Sequence, residues 1–145
     1  AKVIGYNRSH SHDDITYTDL NTLLQTSDIV SIHLPLTKDT KHFIDKDKLS
    51  LMKKDAILIN TARGGIIDNE ALAEALKKGE IAGAGIDVFD MEPPLPEDYP
   101  LLSAPHTVLT PHVGFDTEEA MERRAAIVAD NLKSFVEGKQ KNIIC

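Results

Sequence analysis

Residues 56–88 read AILINTARGGIIDNEALAEALKKGEIAGAGIDV, and the order of patterns within them decides the fold class. Ala56–Thr61 is a near-continuous apolar run, as expected of a strand covered on both faces. Asn69–Lys78 then places Ala71, Leu72, Ala75 and Leu76 along one helical stripe. Asp68 or Asn69 serves as its N-cap, and Gly79 as its C-terminal stop. Ile81–Val88 returns to a strand made largely of small residues. Strand, helix and strand in this order favour parallel strands joined by a crossover helix.

The same alternation extends outward. Upstream, Asp28–Leu34 is strand-like and stops at Pro35, which cannot donate to a central ladder. Before it, Asp19–Thr26 lines Leu20, Leu23 and Leu24 on one helical face, and these three read as core. Lys2–Tyr6 is a short β-type run ended by the turn-prone Asn7-Arg8-Ser9, and Asp45–Met52 reads as a short helix. Downstream lie a proline-rich loop at Pro93–Pro105, a short strand at Thr107–Thr110 and a long amphipathic helix at Asp116–Val136. Five β-like runs alternating with helices predict a parallel sheet wrapped by helices.

Composition narrows the function classes. A chain of 145 residues has the size of one domain, and without Trp its core rests on Ile, Leu, Val and Ala. The formal charge of -7 argues against a nucleic-acid partner, because phosphate binding needs a concentrated positive patch. A small anionic substrate stays open, since a single Arg can hold a carboxylate. The lone Cys145 makes no intramolecular disulfide, and no apolar run approaches the roughly 20 residues that span a bilayer. No membrane partner is expected, and the chain reads as cytoplasmic.

In parallel α/β sheets ligands bind beyond the carboxyl ends of the strands. The unusual residues collect there: Asn7-Arg8-Ser9, Leu34-Pro35, Thr61-Ala62-Arg63-Gly64-Gly65, Asp87 and Pro111-His112-Val113-Gly114. Arg63 offers a bidentate fork to a carboxylate, or alternatively an edge salt bridge. Glu92, before Pro93-Pro94, reads as a solvated acid when taken alone, and His112 as a structural histidine. Together the three offer a carboxylate anchor, an acid/base and a group that tunes it, a set suited to proton transfer coupled to carbonyl reduction. His10-Ser11-His12-Asp13-Asp14 superficially resembles a metal motif but reads as a hydrophilic loop, and no metal is expected. Gly83-Ala84-Gly85 lacks a third glycine and reads as close helix–sheet packing.

Four segments in order resemble the D-isomer-specific 2-hydroxyacid dehydrogenase family, which includes phosphoglycerate dehydrogenase and glyoxylate/hydroxypyruvate reductase. They are Ile32-His33-Leu34-Pro35-Leu36-Thr37 with Thr40, Ile59-Asn60-Thr61-Ala62-Arg63-Gly64-Gly65, Gly85-Ile86-Asp87-Val88-Phe89 running to Glu92-Pro93, and Thr110-Pro111-His112-Val113-Gly114. The resemblance covers essentially the whole chain. It implies a Rossmann-like, doubly wound parallel sheet with helices on both faces, hydride transfer between NAD(P)H and a small 2-keto or 2-hydroxy acid, and a homodimer of the full-length protein.

By that resemblance Arg63 binds the substrate carboxylate, His112 gives and takes the proton, and Glu92 pairs with His112. Asp87 holds the nicotinamide carboxamide, while Leu34, Pro35, Thr40, Thr61, Ala62, Val113 and Gly114 line the dinucleotide. Family members that use NAD typically carry an acid after the first strand here. This chain has Asn7, followed by Arg8 and Ser9, which removes a repulsion and tilts the expectation toward NADP(H) over NAD(H). The resemblance further implies that the family's Gly-x-Gly-x-x-Gly strand–helix unit and its substrate domain lie outside these residues. The chain then reads as a partial NAD(P)-binding domain that is inactive by itself. The alternative is a catalytically silent nucleotide-sensing or protein-interaction module of the same fold.

Overall fold

The computed structural model describes residues 1–7, 15–91 and 94–143. Its elements in chain order are β1 (Ile4–Gly5), β2 (Thr16–Tyr17), α1 (Leu20–Thr26), β3 (Ile29–Ile32), α2 (Lys46–Ser50), β4 (Ile57–Asn60), α3 (Asn69–Lys78), β5 (Gly83–Ile86), β6 (Thr107–Leu109) and α4 (Glu118–Val136). Short 3-10 turns at Gly64–Ile66 and Pro100–Ser103 complete them. The expected α/β class with a parallel sheet is what forms. The backbone divides into two compact units, Ala1–His112 and Val113–Cys145.

In the first unit β3, β4, β5 and β6 hydrogen-bond in that order, all parallel. Burial alternates along the strands: Val30 and Ile32 on β3, and Leu58 and Asn60 on β4, point inward. The core they join includes Leu24, Leu49, Ile66, Ile67, Leu72, Leu76 and Leu101, all essentially inaccessible. Leu20 and Leu23 pack against that core from a half-buried position. Helix α3 keeps the predicted bounds. The Asp68 carboxylate caps it by accepting the Ala71 N–H, and Gly79 ends it in the left-handed region at φ 65°.

Three features depart from the sequence reading. The first β-like run does not bond to the main sheet: β1 pairs with β2, a two-residue strand that the sequence did not reveal. The edges of β1 and β3 instead face a groove of about 630 Å³ lined by Val3, Ile4, Ile29, Val30 and Ser31, so no direct ladder joins them. The proline-rich segment is not wholly irregular, because Pro100 opens a 3-10 turn that buries Leu101 against the core. Finally, Gly83 and Gly85 accommodate neighbouring chain rather than a helix. A Cβ at Gly83 would stand 2.9 Å from the His106 carbonyl oxygen, and one at Gly85 would stand 3.0 Å from Ile59 Cδ1 on β4.

The second unit is built on α4, longer than any other helix among the described residues. Thr117 caps it by accepting the Ala120 N–H, with Glu118 and Glu119 in the first turn where the helix dipole favours acids. The predicted start at Asp116 moves two residues inward because the cap at Thr117 keeps an extended backbone. No helix among the described residues is long and apolar enough to cross a membrane.

Candidate functional site

Register assembles the site. Ile32 stands opposite Asn60, Asn60 opposite Ile86, and Ile86 opposite Leu109. Four strands therefore end level, and residues 33–35, 61–65, 87–89 and 110–112 leave the sheet along one edge. The ladder continues past the strand ends. The Asp87 N–H donates to the Asn60 carbonyl at 3.0 Å, and the His112 N–H donates to the Asp87 carbonyl at 2.8 Å. Backbone bonds thus tie the roots of the Arg63 loop, Asp87 and His112 to one another.

Asp87 is 5% exposed, an unusual place for a carboxylate. The Thr110 hydroxyl donates to its Oδ1 at 2.5 Å. His112 is half-buried and holds φ at 58°, in the left-handed region that non-glycine residues rarely occupy. Its preceding neighbours explain this: Thr110 N–H is committed to Ile86 and His112 N–H to Asp87, so the chain must turn sharply at Pro111.

Arg63 is exposed, and its guanidinium donates to the Ala62 carbonyl at 2.7 Å. Gly64 directly after it is buried against the chain beyond β5. A Cβ there would lie 1.9 Å from the Phe89 carbonyl carbon and 2.4 Å from the Asp90 nitrogen, so only glycine fits. The segment leaving β5 is held further by Tyr99, whose hydroxyl donates to Asp90 at 2.7 Å and whose ring meets Phe89 edge-on. Burial, followed by the Asp90 bond, pushes the Tyr99 hydroxyl pKa well up, so it stays a donor.

On the β3 side, Tyr6, Asn7, His33, Leu34 and Pro35 share the lining of a cavity of about 410 Å³. Thr40 does not open onto that space with a free donor. Its hydroxyl donates to the Pro35 carbonyl at 2.6 Å and accepts the Thr37 N–H at 2.7 Å, so it shapes the loop after β3. Thr61 is exposed and Ala62 half-buried at the sheet edge. Val113 and Gly114 open the second unit. Arg8, Ser9 and Glu92 lie outside the described residues, as does the His10–Asp14 run.

Two residues in the site were missed as site residues by the sequence reading. Thr110 orients Asp87, and Asn60 sits fully buried at the end of an otherwise apolar strand. The signal for the second was present: an amide at an inward strand position needs partners, and the nearest backbone is the loop that follows.

A parallel sheet whose carboxyl edge collects a buried acid, a histidine and an arginine-bearing loop defines an α/β protein with its candidate site at that edge. The model of the D-isomer specific 2-hydroxyacid dehydrogenase family, NAD binding domain, matches residues 1–114. The chain belongs to that family. It is 52% identical over 126 residues to a glyoxylate reductase of Thermofilum pendens, covering 87% of this chain and 37% of that protein. Among solved structures it resembles the NAD-complexed D-isomer specific 2-hydroxyacid dehydrogenase of Lactobacillus delbrueckii ssp. bulgaricus, with TM-score 0.84 and 38% identity, over 98% of this chain and 48% of that one. It equally resembles an acyclic imino acid reductase (Bsp5) in complex with NADPH and D-Arg, with TM-score 0.86 and 37% identity, over 99% of this chain and 46% of that one. The chain spans less than half the length of each.

Proposed function

We propose that the polypeptide containing these residues is an NAD(P)-dependent dehydrogenase that interconverts small 2-keto acids and D-2-hydroxy acids. The observation that carries this reading is the backbone ladder from Asn60 through Asp87 to His112, which ties an arginine loop, a buried acid and a histidine to one sheet edge. Bound nicotinamide would supply or accept the hydride. Its carboxamide suits Asp87, whose carboxylate is fixed by Thr110. Arg63 binds the substrate carboxylate with its planar fork and polarises the adjacent carbonyl. His112 donates the proton to the carbonyl oxygen on reduction and removes it from the hydroxyl on oxidation. Glu92 would pair with His112 and orient its ring, as the family resemblance implies.

The residues present fit one part of the dinucleotide. The 145 residues contain no Gly-x-Gly-x-x-Gly, so backbone donors for the pyrophosphate come from other residues. Asn7, exposed at the end of β1, brings no negative charge to the adenosine ribose, and Arg8 beside it supplies a cation. We therefore favour NADP(H) over NAD(H). Glyoxylate and hydroxypyruvate are the first substrates to try, and a homodimer is the expected assembly of the complete polypeptide. The experiment is a cofactor-oxidation assay of that polypeptide with each keto acid, run with NADPH and with NADH. Turnover with a lower KM for NADPH is expected; no turnover with any 2-keto acid defeats the enzyme reading, and a strong NADH preference defeats the cofactor assignment.

A further inference from the structure

Asn60 ends β4 on the same inward face as Leu58, and both side chains are completely buried. An amide in an interior strand position is costly unless its polar atoms are bonded, and an aliphatic side chain would fill the place without that demand. The Asn60 amide is committed to the loop that follows. Oδ1 accepts the Ala62 N–H at 3.0 Å, and Nδ2 donates to the Arg63 carbonyl at 3.0 Å. These two held peptides flank the Ala62–Arg63 peptide, whose carbonyl takes the Arg63 guanidinium at 2.7 Å. The Asn60 main-chain carbonyl also takes the Asp87 N–H.

We propose that Asn60 is a positioning residue for substrate binding: its buried amide clamps the backbone on both sides of Arg63 and so aims the guanidinium at the keto-acid carboxylate. Asn60 does not touch the substrate; it acts through Arg63. This rests on the carboxylate-anchor role of Arg63 given above.

The test uses the complete polypeptide carrying Asn60→Ala, Asn60→Asp, Arg63→Ala and the two double variants. In Asn60→Asp a protonated carboxyl still accepts from Ala62 and donates to the Arg63 carbonyl, whereas the ionised form has no donor. Burial raises the pKa of such a carboxyl. Near neutral pH, kcat/KM for the keto acid is expected to fall on the order of 10- to 100-fold in Asn60→Ala, mostly through KM, and Asn60→Asp should show the same loss once pH exceeds the pKa of its carboxyl. For Asn60→Asp the ratio to wild type should recover as pH is lowered, a dependence that the untitratable amide of wild type cannot show. In the Arg63→Ala background either Asn60 change should cost less than about twofold more, because the two residues act as one unit. Equal losses in both backgrounds overturn the proposal, as does an Asn60→Asp profile parallel to wild type with KM unchanged. If Asn60→Ala does not fold, the Asn60→Asp profile and its double variant decide. An inactive wild type overturns the dehydrogenase reading and this inference with it; an active wild type with additive losses overturns this inference alone.

Discussion

His112 and Gly64 show how single positions carry the site. The left-handed backbone of His112 is held by its N–H bond to the Asp87 carbonyl, so the ring's root is fixed independently of its chemistry. Replacing the ring with an amide of similar reach should remove proton transfer and spare the fold. We expect His112→Gln in the complete polypeptide to abolish keto-acid turnover while cofactor affinity, followed by fluorescence titration, stays nearly unchanged. Retained full activity would remove His112 from its role. Gly64 is a steric matter. A methyl group there would overlap the Phe89 carbonyl, which belongs to backbone and cannot rotate away. Gly64→Ala should therefore cost about 1–3 kcal/mol by overpacking, read from denaturant midpoints. It should also lower kcat/KM, since relief must separate the Arg63 loop from the segment leaving β5. An unchanged midpoint would show that the two segments do not press together in solution.

Two helix starts carry pH-sensitive caps. Asp19 caps α1 and Asp45 caps α2, each accepting from a backbone N–H three residues on. The Thr22 hydroxyl, and then its N–H, lower the Asp19 pKa; the Lys48 ammonium, and then its N–H, lower that of Asp45. A carboxyl with a depressed folded pKa stabilises the fold above the ordinary aspartate value of 3.8. That contribution is lost as pH falls through the lower folded value. Asn at either position still caps but does not titrate. The Asp19→Asn, Asp45→Asn double variant should thus lose less stability than wild type between pH 3.8 and lower values, measured by thermal melts on an acid series. Parallel melting curves would show that these caps do not drive the acid limb. The caps were legible in sequence for α3, where Asp68 precedes a clean stripe and Gly79 closes it. β2 was not legible, because two residues are too few to show a period.

At the scale of the whole chain, exposed apolar side chains sit along both outer strands of the main sheet. Ile29 on β3 is 63% exposed and Val108 on β6 is 69% exposed, with Val3 beside β1 at 68%. Apolar side chains left in water favour association at high concentration. The chain also spans less than half of the relatives it matches. Residues 1–145 should self-associate as concentration rises. Sedimentation velocity over a hundredfold concentration range decides this, and a monomer throughout would mean that these apolar edges are tolerated in water.

The sequence by itself determined the α/β class, the bounds of α3 and the cap at Gly79. It could do so because burial imposes a period of two or of 3.6 on strands and helices, and because turns demand particular residues. It also carried the resemblance that the family comparison bears out. Tertiary structure alone decided that β1 turns to β2 rather than to β3, that the hydroxyl of Thr40 is committed to its own loop, and that Gly83 and Gly85 give room to neighbouring chain. It alone revealed Thr110 beside Asp87 and the Asn60 amide beneath Arg63. These facts depend on register between strands distant in sequence, and a linear pattern records which face a residue takes but not which partner meets it there.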